Sequence, residues 1–164
     1  MPLSASQRGA TYLALLFFVA IMGLVLSVGG VVWSTTSQRD KERELLFVGN
    51  QFRMAIGSYY LATPGSVKRY PATFADLLID NRQAGTVRHL RRMFVDPMTA
   101  TKEWGVVRAP DGGIEGVYSL STAVPIKTGG FLLRDGSFAG AVDFAGWRFV
   151  YIPAVVPVRA TGGQ

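Results

Sequence analysis

Ala10–Trp33 reads ATYLALLFFVAIMGLVLSVGGVVW, twenty-four uncharged residues with Leu, Ile, Phe or Val at thirteen positions. It lies inside a longer run, Gly9 to Gln38, of thirty residues without a charge. As a helix the stretch covers roughly 36 Å at ~1.5 Å per residue, enough for a hydrocarbon core of about 30 Å. Each such aliphatic or aromatic residue favours insertion by about 0.3–0.6 kcal/mol near the bilayer centre. The spacing therefore predicts a transmembrane helix over 10–33; a buried core helix rarely tolerates so long an uncharged run. A removable signal has a shorter apolar region and a small-x-small cleavage site before a polar mature start, and the chain offers Ser27-Val28-Gly29 only weakly.

Outward from this run the flanks differ. Only nine residues precede it, with Arg8 among them, while Arg39–Glu44 (RDKERE) follows with three positive and three negative side chains. Lys and Arg counting is nearly undecided, but a short leader is expected to stay inside while the large C-terminal part is translocated. Beyond RDKERE, Leu45, Val48, Phe52, Ile56 and Tyr59 recur at spacings of three and four, with Gln51 and Arg53 off that face. One rod from Ala10 to about Tyr60 is predicted, roughly 75 Å long. Within RDKERE the i,i+3 pairs attract and the i,i+4 pairs repel, each by ~0.2–0.5 kcal/mol, as on a solvated helix surface or in a charge seam between subunits.

Composition narrows the chemistry. The 164 residues contain no Cys and one His, and 17 Lys plus Arg against 11 Asp plus Glu give a net charge of +6. Thiolate zinc sites, thiol nucleophiles and paired-His metal sites are thereby excluded within one chain, and any His-based triad rests on His89. The excess positive charge suits anionic neighbours without choosing between phospholipid and nucleic acid. No G-x-S-x-G, G-x-x-x-x-G-K-[ST] or G-x-G-x-x-G occurs, so neither a nucleophile elbow nor a phosphate-cradling loop is indicated. No catalytic residue is assigned, and His89 is read as a surface or loop residue.

After the rod, Thr63-Pro64-Gly65-Ser66 is a breaker, and Thr73 is expected to cap a short helix over Phe74–Asp80 with Asp76 at its third position. Asp76 and Asp80, one turn apart, read as solvent-facing charge. Arg82, Arg88, Arg91 and Arg92, with His89 among them and Met93 and Phe94 after, form a basic cluster and a candidate nucleic-acid or partner patch. For a domain outside the cytoplasm, an exposed face beside a buried Leu90, or contact with acidic neighbours, is favoured over DNA. The period then changes to two: Trp104, Val106 and Arg108, a turn at Pro110-Asp111-Gly112-Gly113, then Ile114, Gly116, Tyr118 and Leu120 predict a β-hairpin. Trp147, Phe149 and Tyr151 supply a third strand, and the sheet is expected to lie on the Leu45–Tyr59 face.

Ser6-Gln7-Arg8-Gly9 before Ala10-Thr11-Tyr12-Leu13-Ala14-Leu15-Leu16 resembles the prepilin peptidase site of type IV pilins and type II secretion pseudopilins. The resemblance implies cleavage after Gly9, methylation of Ala10 and retention of the helix. Ile21-Met22-Gly23-Leu24-Val25 is similar to the Gly-containing stretch of family helices, and Gly23 with Ser27 forms a small-x-x-x-small pair suited to helix packing. Family members commonly carry Phe at the first and Glu at the fifth mature position, where this chain has Ala10 and Ala14. Either Thr11 and Tyr12 supply polar contacts in place of that Glu, or the subunit sits where no such partner is required. Arg91–Thr99 followed by Glu103-Trp104-Gly105 resembles the region of major pseudopilins where an Asp-Pro turn precedes the first strand. Several of those proteins bind calcium before the last strand; only Asp135 and Asp143 fall there, so no metal and no cofactor is assigned.

The resemblance implies an α+β, pilin-like fold: a long N-terminal helix packed on a small three-stranded antiparallel sheet. Five segments follow: a leader over 1–9, a transmembrane helix over 10–33, its amphipathic continuation over 34–60, a globular head over 61–152 and a mobile tail over 153–164. The implied role is a structural subunit of a periplasmic pseudopilus, held in the bacterial inner membrane with its N-terminus cytoplasmic and its head periplasmic. Its implied partners are prepilin peptidase, other pseudopilin or pilin subunits, the inner-membrane assembly platform and membrane lipid. Two alternatives stay open: a minor pilin that uses the arginine patch in DNA uptake, and a single-span protein that is never cleaved or assembled.

Overall fold

A computed structural model describes the backbone of residues 6–82 and 85–153, and their side chains except those of 6–10 and 24–33. The 1–9 leader, the Gly9–Ala10 junction and Ser27 fall wholly or in their side chains outside the described residues, as does 154–164 of the expected tail. Helix α1 runs Ser6–Ala62, 57 residues. The chain divides into two compact units, Met1–Asp40 and Lys41–Gln164.

In the first unit, described side chains from Thr11 to Gly23 are all exposed, Tyr12, Leu16, Phe17, Phe18 and Ile21 among them. Among the described residues no helix is long and apolar enough to cross a membrane; residues 24–33, the rest of the expected span, contribute no described side chains.

The second unit carries the core. Leu45, Val48, Phe52, Ala55, Ile56 and Tyr59 of α1 are buried, as their three-and-four spacing requires. They pack with Leu77, Leu90, Trp104, Ile114 and Val117 and with an aromatic group of Phe138, Phe144, Trp147 and Phe149. Phe52 is the hub, with the rings of Phe74, Phe94 and Trp104 at 5.8, 6.0 and 5.0 Å. Full burial of such a side chain contributes about 1.5–3 kcal/mol.

The α+β reading holds. Strands β1 (Gly105–Arg108), β2 (Ile114–Tyr118) and β3 (Phe149–Val150) form one antiparallel sheet in the order β1-β2-β3. The β1–β2 turn sits where the Pro110–Gly113 cluster predicted it. Gly112 adopts φ +83°, and the Asp111 carboxylate accepts the Gly113 N–H at 3.0 Å. A bulge between Val107 and Arg108 shifts the register there. Helix α2 (Phe74–Leu78) starts at Thr73, whose N–H donates to Asp76 at 2.8 Å, the predicted reciprocal cap. Two short 3-10 helices, Leu133–Phe138 and Phe144–Gly146, fill the connection before β3.

Gly49 lets the sheet approach the helix: a Cβ there would overlap the ring of Phe149, which is itself fully buried. Two helix residues read as outward-facing are instead inside. Glu42 is 2% exposed and Arg53 9%, because each finds polar partners in segments far along the chain.

Candidate functional site

The densest polar constellation forms where α1 ends. Thr63 and Pro64 stop the helix, and its last turn contains no basic residue. Exposed negative ends of the peptide dipoles favour cations there, and the chain supplies them from farther on. Lys68 Nζ donates to the carbonyls of Leu61 and Thr63 at 3.1 and 2.7 Å. Arg82 Nη2 donates to the Tyr59 carbonyl at 3.0 Å, Nη1 donates to Thr63 Oγ1 at 2.8 Å, and the guanidinium lies 3.5 Å from the Tyr59 ring centroid.

Asp80 closes this knot. Its carboxylate is buried and accepts from Arg82 Nε at 2.8 Å, Arg82 Nη2 at 2.7 Å, the Arg82 backbone N–H at 3.0 Å and lies 3.1 Å from His89 Nε2. The Arg82 side-chain hydrogen bonds, with smaller help from its backbone N–H and from His89, outweigh burial and hold the Asp80 carboxyl well below the usual carboxylate range. The same contact raises the Arg82 guanidinium, and burial raises the Tyr59 phenol. This corrects the expectation of Asp80 as solvent-facing charge: the backbone bridge from Asp80 N–H to the Val87 carbonyl, 2.8 Å, turns its side chain inward.

His89, expected on a helix surface or in a loop, lies in a loop with its side chain buried, 2% exposed. Its Nδ1 lies 2.8 Å from Ser58 Oγ, so Ser58, His89 and Asp80 stand in a row. The order is that of a nucleophile, base and acid. Ser58, however, lies inside α1, where neighbouring backbone N–H groups are used by the helix ladder and none is left to form an oxyanion hole. Arg82 occupies the Asp80 oxygens. The arrangement fits locking the helix end to the 80–89 loop.

The four candidate patch arginines accordingly divide. Arg82 faces inward on Asp80, whereas Arg88, Arg91 and Arg92 are exposed, with Arg92 5.3 Å from the Phe94 ring centroid. A Cβ at Gly23 would meet no atom of the described residues within 4 Å.

Three further buried carboxylates escaped the sequence reading. Glu42 accepts the backbone N–H groups of Ile126 at 2.6 Å and Lys127 at 3.1 Å. Asp96 accepts from Met98 N–H at 2.9 Å, Thr99 Oγ1 at 3.1 Å and Ser119 Oγ at 2.7 Å, which joins the Asp-Pro turn to the end of β2. Asp-x-x-Thr is a turn signal that was present in the sequence; no local signal marked Ser119 as its partner.

Asp135 meets Arg53 Nη1 at 2.8 Å as an ion pair, and Arg53 Nε donates to the Val150 carbonyl at 3.1 Å, tying β3 to the helix. Asp143 caps the second 3-10 helix by accepting Gly146 N–H at 3.0 Å. The two acids in the region where a calcium site was weighed are thus engaged with Arg53 and a backbone amide. Among the described residues no three His, Cys, Asp or Glu side chains come together as a metal site. No family model, curated protein or solved structure matches the chain.

Proposed function

We propose that this chain is a structural subunit of the pseudopilin type, anchored by its N-terminal helix in the inner membrane, trimmed at Gly9 and assembled with other subunits by helix packing. The observation that carries the reading is the contrast along α1. The apolar side chains described between Tyr12 and Met22 are exposed, whereas the Leu45, Val48, Phe52, Ile56 and Tyr59 face of the same helix is buried in the core of its own unit. An apolar helix surface left uncovered by the described residues needs either lipid or other helices, and an assembling subunit exchanges one for the other. Gly23, open in the single chain, permits close approach of a neighbour, and Ser27 extends the same small-residue row.

The test is intact-mass and N-terminal analysis after co-expression with a prepilin peptidase. Loss of residues 1–9, a methylated Ala10 and no processing of Gly9→Val are expected; an unchanged Met1 terminus in the presence of active peptidase overturns the reading.

The exposed trio Arg88, Arg91 and Arg92 beside Phe94 favours one second reading, a minor pilin that grips DNA phosphates with its head. It requires DNA retention that weakens with salt and disappears when the three arginines are reversed to Glu. Retention unaffected by that reversal removes it.

A further inference from the structure

From Leu45 to Ala62 helix α1 carries a single charge, Arg53, and that guanidinium is turned inward to the Asp135 carboxylate and the Val150 carbonyl. The exposed residues of this stretch are Phe47, Met54, Ser58 and Leu61. Ser58 is hydrogen-bonded to His89, and the other three are large and apolar, 61%, 52% and 63% exposed. A helix that covers a core ordinarily gives its outer face to charged side chains. Here that face presents no charge over roughly 21 Å, the rise from position 47 to position 61 at ~1.5 Å per residue.

Spacing arranges the three into one stripe. Phe47, Met54 and Leu61 stand seven residues apart, so successive members drift around the helix by only ~20°. The buried line of Leu45, Val48, Phe52, Ile56 and Tyr59 lies on the other side, and half-buried Asn50 and Gln51 flank the stripe. At its Phe47 end the stripe meets a cavity of about 330 Å³ whose lining includes Leu46, Asn50, Phe131 and Leu132. Toward Leu61 the Tyr151 ring lies over Gly57, where a Cβ would overlap it, and Ile152 beyond is 80% exposed. Apolar groups thus border the stripe at both ends.

We propose that the Phe47, Met54 and Leu61 stripe docks against the same stripe of a second copy. The inference rests on the reading of the chain as an assembling subunit, to which it adds a contact within the Lys41–Gln164 unit. A seven-residue apolar repeat fits another helix, since knobs at that interval drop between the side chains of a facing helix. Charge selects the copy. A chain of net charge +6 repels its own kind through charged surfaces, whereas two uncharged stripes meet without repulsion and with no ion to desolvate. Asn50, Gln51 and Ser58 interleave with the apolar side chains and make the face too polar for lipid. Three side chains cover less than the ~800 Å² per partner of a stable soluble dimer, so the stripe joins copies that other contacts already hold close.

The chain contains no cysteine, so full-length single-cysteine variants in phospholipid vesicles report contact between copies as disulfides formed by copper-phenanthroline in air. Met54 is the middle of the stripe and meets its own copy whichever way the two helices run. Met54→Cys is expected to form a linked dimer several-fold faster than Val95→Cys, an exposed position whose neighbour Phe94 packs against Phe52 on the buried side of α1. Adding Phe47→Glu and Leu61→Glu to Met54→Cys should bring the rate down to that of Val95→Cys while leaving thermal unfolding of the unit unchanged. Phe17→Cys reports contact through the first unit. Linking at 17 with 54 no faster than 95 overturns the stripe and leaves the assembling subunit standing; no linking at 17 or 54 removes that reading and the stripe with it. Linking at 54 alone upholds the stripe. A rate at 54 unaffected by the two glutamates overturns the proposal, as does a Met54→Cys chain that in cell membranes links only to a protein of different mass.

Discussion

The Glu42 carboxylate and the backbone N–H of Ile126 meet at 2.6 Å across 84 positions of sequence. The neighbouring Lys127 N–H completes a two-point clasp at 3.1 Å. A buried carboxylate fits here because amide donors replace the water it gives up.

Removing that clasp leaves two amides without an acceptor. Glu42→Ala is expected to cost about 1.5–3 kcal/mol, the range for hydrogen bonds to a charged group, and Glu42→Gln less, since one acceptor oxygen remains. Urea unfolding of the detergent-solubilised chain measures the cost, and amide exchange at Ile126 and Lys127 should accelerate selectively. Equal stability of the Ala and Gln variants would contradict the assignment.

Asp80 makes stability depend on acid. Its carboxyl is held below the usual carboxylate range by Arg82, so the folded state binds its proton later than the unfolded chain. The contribution is complete above the unfolded value of about 3.9 and is lost as pH falls from there through the lowered folded value. Asp80→Asn should therefore be less stable than wild type at neutral pH, by about 3 kcal/mol for loss of one member of a buried pair. The gap between the two should narrow as pH falls below about 4. A gap constant with pH would refute the ionised pair.

Gly49 and Gly23 test packing on the two parts of α1. A Cβ at Gly49 overlaps the immobile Phe149 ring, whereas one at Gly23 meets nothing within 4 Å. Gly49→Ala is expected to destabilise by about 1–3 kcal/mol, the usual cost of overpacking. Gly23→Leu should leave unfolding of the Lys41–Gln164 unit unchanged while reducing helix-to-helix crosslinking in membranes. Crosslinking unaffected by Gly23→Leu argues against packing at this point.

The arginines separate in the same way. Arg82→Ala strips the Asp80 carboxylate, the Tyr59 carbonyl and Thr63 of a donor at once, and about 3 kcal/mol should be lost. Arg91→Ala, at an exposed position, is expected within about ±0.5 kcal/mol. Thermal unfolding of the two variants distinguishes an arginine that closes the helix end from one left to face solvent or a partner.

Much of the fold was legible because it is written in periodicity. The 45–59 spacing named the buried helix face, Pro110–Gly113 named the hairpin turn, and alternating Trp147, Phe149 and Tyr151 placed the third strand. Each signal is local, since a helix or strand buries one face at a fixed repeat. Glu42, Arg53 and Asp80 were misplaced because charge and spacing suggested solvent, and His89, rightly given to a loop, turned out to have its side chain inside. Their burial is made affordable by Ile126, Asp135 and Ser58 arriving from distant segments and by Arg82 two positions beyond Asp80.

The sequence by itself determined an uncharged apolar run at the N-terminus, an amphipathic helix after it, a hairpin and the absence of cysteine chemistry, because these depend on residue type and repeat alone. Tertiary structure decided which charges are inside, that Arg82 leaves the arginine patch for Asp80, and that Glu42 holds the backbone at Ile126 and Lys127. Glu42 and Arg53 reach partners 84 and 97 positions away, and Arg82, though two positions from Asp80, is held by Thr63 and Tyr59 at 19 and 23 positions; pairings between distant segments leave no mark in a local pattern.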